Sequence, residues 1–90
     1  VIIVTFNTRC PNVVLPKYLR NKHIKEMTII LQHQFENLVV REDGFDVTLY
    51  FNKRAARISI PIKSIHSFYD PEFKFKLILP HVSSIKERIL

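Results

Sequence analysis

Glycine, cysteine and methionine each occur once in ninety residues, and tryptophan does not occur at all. A single glycine excludes a glycine-rich loop that cradles phosphate. A single cysteine, Cys10, excludes an internal disulfide and argues for a reducing compartment. No apolar run approaches the roughly 20 residues that a membrane-spanning helix needs, and no signal-peptide pattern is visible. The sequence opens on Val1, already inside an apolar run, so an upstream segment is expected beyond it. His23, His33, His66 and His81 are scattered, with no His-x-x-x-His or Cys-x-x-Cys spacing, and no metal site is expected. The carboxylates fall mostly at turns and strand ends, and no two of them suggest an acid and base pair. Catalysis is therefore disfavoured, and no cofactor is expected.

What is present suits one small β-rich domain. Hydrophobic residues make up 47% of the chain, too many for a disordered segment. Five prolines and several Asn and Asp residues supply turns. The formal net charge of +6 invites a nucleic-acid reading. The basic residues, however, are dispersed along the chain from Lys17 to Arg88 rather than gathered in a block, which fits a solvated surface better.

Period-two alternation carries most of the structural signal. Ile2, Val4 and Phe6 mark a first strand, ended by Cys10-Pro11-Asn12. Cys10 reads as a small half-buried residue before that turn. Val13-Val14-Leu15 predicts a short second strand, and Pro16 opens a helical turn over Lys17 to Asn21. Met27 to Leu31 reads as a central strand, followed after a turn at Glu36 by Asn37 to Val40. Glu42-Asp43-Gly44 is the best hairpin signal, because Asp-Gly tolerates the positive φ of a tight turn. Phe45, Val47, Leu49 and Phe51 then face one way and Asp46, Thr48 and Tyr50 the other. Asn52-Lys53-Arg54 turns the chain into Ile58, Ile60 and Ile62, with Pro61 at a strand end or edge. Lys63 to Ser67 reads as a helical turn, and Phe68 to Pro71 as extended. Phe73, Phe75, Leu77 and Leu79 form a last strand stopped by Pro80, and Val82, Ile85 and Ile89 share one face of a possible helix. The expected fold class is mainly β, α+β at most: a small open barrel or sandwich of six or seven short strands with one or two helical turns.

Leu31 to Phe35 is the least ordinary segment. An apolar strand runs directly into Gln32-His33-Gln34-Phe35. Amides and an imidazole at a buried strand end cost desolvation unless they are paired, and both groups can donate and accept. That suits recognition of an extended peptide backbone, and a solvated strand end explains the residues equally well. Thr48 and Tyr50 lie on the polar face of the cleanest strand, where an outward Tyr suits peptide contact, but the residues alone favour an ordinary sheet surface with good strand propensity.

Glu26-Met27-Thr28-Ile29-Ile30-Leu31-Gln32-His33-Gln34-Phe35, followed by Asn37-Leu38, closely resembles the SspB adaptors of α-proteobacteria. So do Gly44-Phe45 through Thr48-Leu49 to Phe51, Ile58-Ser59-Ile60-Pro61, Phe68 with Asp70-Pro71, and, upstream, Leu15-Pro16 and Tyr18-Leu19-Arg20. The resemblance spans Ile3 to Leu79. It implies an Sm-like β fold over residues 1–80, with a C-terminal extension over 81–90. It also implies a non-catalytic adaptor of the bacterial cytoplasm that binds ssrA degradation tags, extended in a groove, and delivers tagged proteins to the ClpXP protease. By position the groove falls on Leu31, Gln32, His33, Gln34 and Phe35 on one side and Thr48 and Tyr50 on the other. Gln32 and Gln34 would pair with peptide main chain, and Phe35 and Tyr50 would pack against small side chains. Relatives carry an N-terminal helical segment used in homodimerisation and a C-terminal tail that docks on the ClpX N-domain. Neither is identified in this sequence.

The competing class is an Sm-like basic module that binds RNA. It suits the charge and a barrel, but it needs aromatics beside the basic residues for stacking. Alternation sets Phe73 and Phe75 opposite Lys74 and Lys76, so nucleic acid is disfavoured as a partner.

Overall fold

The computed structural model describes residues 1–32, 35–72 and, as a backbone strand, 75–78. In chain order the elements are β1 (Ile2–Asn7), α1 (Lys17–Lys22), β2 (Glu26–Leu31), β3 (Phe35–Arg41), β4 (Gly44–Phe51), β5 (Arg54–Pro61), a 3-10 turn (Ile62–Ser64), β6 (Ile65–Asp70) and β7 (Phe75–Ile78). The strands form two antiparallel sheets, β2-β1-β6-β7 and β3-β4-β5, which do not close into a barrel. The mainly β expectation holds.

Alternation builds the core. Val4 and Phe6 of β1, Met27, Ile29 and Leu31 of β2, Val47 and Leu49 of β4, and Ile58 and Ile60 of β5 turn inward and are buried. A fully buried side chain of this size contributes roughly 1.5–3 kcal/mol. Leu19 of α1 and Val13 and Leu15 before it close one side of the cluster. Cys10 packs half-buried against it as a free thiol, as its place before the proline turn predicts.

Arg20 ties this loop region together. Its Nη1 donates to the Thr8 carbonyl at 2.8 Å and its Nη2 to the Val13 carbonyl at 2.7 Å. The buried Thr8 hydroxyl donates to the His23 carbonyl at 2.7 Å. Part of the basic charge is thus structural: Arg54 likewise lies 4.6 Å over the Tyr18 ring.

Several expectations are corrected in detail. Val13 to Leu15 is no strand, only a bridge from Val14 to Ser59 that covers part of the β5 edge. Among the described strands β2 lies at the edge of its sheet rather than at its centre, beside β1 alone, and Thr28 and Ile30 face solvent while their neighbours face the core. Glu36 is not a turn: β3 runs through it, and the irregularity is a bulge between Glu36 and Val39, with Asn37 at φ 52°. That extra residue re-phases the strand. Phe35 faces Leu49 before it, and Val40 faces Phe45 after it.

Both hairpins form, with their turn chemistry exchanged relative to expectation. The left-handed pair is Asn52 and Lys53, at φ 50° and 66°, as a two-residue primed turn between β4 and β5 requires. In the β3–β4 turn the need for glycine comes from close approach. A Cβ on Gly44 would clash with the Ile60 carbonyl oxygen and lie 2.7 Å from the Pro61 Cα. The helical turn expected over Lys63 to Ser67 is a shorter 3-10 turn, after which Ile65 already enters β6. The expectations for Phe73, Lys74, Leu79 and the helix over residues 82–90 lie outside the described residues.

Candidate functional site

β2 pairs with β1 along its whole length, Ile2 with Leu31 through Asn7 with Glu26. Among the described strands nothing pairs with its other edge. A strand edge presents a row of N–H and C=O groups, and each needs a partner. In the other sheet, β3 pairs with β4 from Arg41 opposite Gly44 to Phe35 opposite Leu49 among the described residues, and β4 runs on through Tyr50 to Phe51. Tyr50 and Phe51 form the C-terminal end of β4.

These two features flank one groove of about 550 Å³. Thr28, Ile30 and Gln32 line it from β2 and its C-terminal end, and Tyr50 and Phe51 from β4. Ile30 and Tyr50 are both exposed. The walls combine apolar surface, an amide, a hydroxyl and a phenol.

The outer face of the β3-β4-β5 sheet adds polar groups. The Tyr50 hydroxyl donates to Glu36 Oε1 at 3.1 Å. Arg57 Nη1 donates to the Thr48 hydroxyl at 3.1 Å and to the Asn37 carbonyl at 2.7 Å, pinning the β3 bulge from β5. The carboxylate raises the Tyr50 phenol above its usual 10.0, first through the hydrogen bond and then through its charge.

The residues singled out from sequence fall in different places. Gln32 and Tyr50 line the groove together. Thr48 is half-buried on the outer face, where it holds Arg57. Phe35 packs half-buried against the core. Leu31 is buried, and it lines a second, largely apolar opening of about 440 Å³ with Leu38, Val40 and Phe45. His33 and Gln34 lie outside the described residues. Sequence reasoning missed Thr28, Ile30 and Glu36. For Ile30 a signal existed: it falls out of phase with Met27, Ile29 and Leu31, hence on the solvent side of β2.

Among the described residues, no group of three or more His, Cys, Asp or Glu side chains could hold a metal ion, and no helix is long and apolar enough to cross a membrane. No curated protein matches the chain. The family model for stringent starvation protein B (SspB) matches residues 2–88. That is nearly the whole sequence, and this chain belongs to the SspB family, a family of adaptor proteins.

Proposed function

We propose that the groove between β2 and β4 captures the extended tail of an ssrA-tagged protein, and that the chain is the recognition module of an adaptor serving the ClpXP protease. The observation that carries this reading is the β2 edge, unpaired among the described strands, beside a groove walled by Ile30, Gln32 and Tyr50, in a chain of the SspB family.

The chemistry is that of strand addition. A stretched peptide brings one N–H and one C=O per residue and must satisfy them on leaving water. The open β2 edge offers the complementary groups. Gln32 adds an amide that donates and accepts at the strand end, and Gln34 is assigned the same part. Ile30 and the Tyr50 ring give apolar contact for small side chains. Phe35 supports the wall from the core side, while Thr48 and Arg57 stiffen it. No bond is made or broken, so the peptide can be handed on intact. The +6 net charge attracts an acidic tag at long range. Delivery to the ClpX N-domain, homodimerisation of the full-length adaptor and a cytoplasmic setting complete the proposal.

A fluorescein-labelled ssrA-type peptide, titrated with the protein at two salt concentrations, tests it. Saturable binding is expected, weakened by Gln32→Ala, Gln34→Ala and Tyr50→Ala. Absence of any anisotropy change, or tighter binding of a single-stranded RNA with a steep loss of affinity as salt rises, would replace the peptide reading with the nucleic-acid one.

A further inference from the structure

Tyr50 is a groove wall that packing does little to hold. The residue is 43% exposed, and its cross-strand neighbour on β5 is Ala55, a single methyl. The ring is restrained by a side-chain hydrogen bond to Glu36, at 3.1 Å. Glu36 stands opposite Thr48, so the contact is a diagonal one across β3 and β4.

The same carboxylate sets the local charge. Both ion pairs among the described residues belong to Arg41, which binds Asp43 and Asp46. The nearest cation in the cross-strand row Glu36–Thr48–Arg57 directs its Nη1 to the Asn37 carbonyl and the Thr48 hydroxyl. Among the described residues, then, Glu36 has no ion-pair partner, and its carboxylate sits beside the phenol.

We infer that Glu36 is the positioning and charge-selecting residue of the groove: it anchors the Tyr50 ring, and it disfavours an acidic ligand side chain seated against that ring. The inference rests on the peptide reading of the groove. The overall positive charge draws an acidic peptide to the protein, and Glu36 determines where along the groove its acidic residues do not lie. This restricts register in a way that uniform attraction cannot. The raised phenol supports the arrangement, because the hydroxyl stays protonated as a donor.

The test uses the labelled ssrA-type peptide with each position replaced in turn by Asp or Asn. At one or two adjacent positions the wild-type protein should prefer Asn over Asp by roughly 3- to 10-fold, a difference the size of one polar interaction. Glu36→Gln should bring that ratio close to one. Glu36→Ala should do the same and lose more affinity for the unmodified tag than Glu36→Gln, which retains an acceptor for the phenol. The Tyr50 titration, followed by NMR of the ring Cζ and assigned with Tyr50→Phe, should move down in both variants. An Asp/Asn ratio that is the same with and without the carboxylate at every position, or an unmoved Tyr50 titration, overturns this inference while leaving the peptide reading intact. A wild-type protein that binds no tag peptide overturns the peptide reading, and charge selection with it.

Discussion

Ile30 and Tyr50 line the same groove although their strands belong to different sheets. Ile30 is outward on β2, and Tyr50 is outward near the C-terminal end of β4. An exposed position of this kind separates binding from folding. Ile30→Asp should weaken tag-peptide binding roughly tenfold or more, because it puts a charge where an apolar contact is required, and it should leave stability within about 0.5 kcal/mol. Paired anisotropy and urea titrations read both quantities. Equal losses in the two would mean that Ile30 belongs to the core instead.

At Gly44, the single glycine, any side chain would meet backbone. A Cβ would clash with Ile60 and Pro61 on β5, and neither can move without disturbing the β4–β5 ladder. Gly44→Ala should cost about 1–3 kcal/mol, the range for overpacking, measured as a lower urea midpoint with an unchanged slope.

Arg20 predicts a second kind of loss. Its guanidinium satisfies the carbonyls of Thr8 and Val13 from α1. Arg20→Ala removes both charge-assisted bonds and should cost about 1–3 kcal/mol. Arg20→Lys should recover little of this, since an ammonium lacks the two-pronged geometry. Amide exchange in the loop over residues 8–14 should quicken in both variants.

The Tyr50–Glu36 bond also predicts a pH dependence. The folded phenol titrates above its unfolded value of 10.0. Its stabilisation is therefore complete below pH 10.0 and is lost as pH rises through the folded value. The difference in urea midpoint between wild type and Tyr50→Phe should stay constant through neutral pH and shift against the wild type only in strong alkali. A difference that changes near neutrality would contradict the pair.

How far these features could be read from sequence depends on whether local patterning expresses them. β4 was legible because Phe45, Val47, Leu49 and Phe51 alternate cleanly with polar residues. β2 was legible as a strand but not as an edge: Met27 to Leu31 is apolar enough to suggest burial on both faces, and strand order is a non-local property. In β3 the bulge at Asn37 shifts the phase, so Leu38-Val39-Val40 shows no alternation. Gly44 announced a turn, but its physical constraint comes from Ile60 across the sheet. The site followed the same rule. Gln32 and Tyr50 were marked by chemistry and by resemblance, whereas Glu36 acquires its part only when β3 is set beside β4.

The central claim is that an extended peptide joins the free edge of β2. The most direct measurement is backbone amide exchange and chemical-shift mapping with and without an ssrA-type tag peptide. Protection and shifts concentrated in residues 28–32 and around Tyr50 are the predicted result. Shifts confined to the opposite opening, at Leu38, Val40 and Phe45, or no protection of β2 at a concentration that saturates binding, would contradict it.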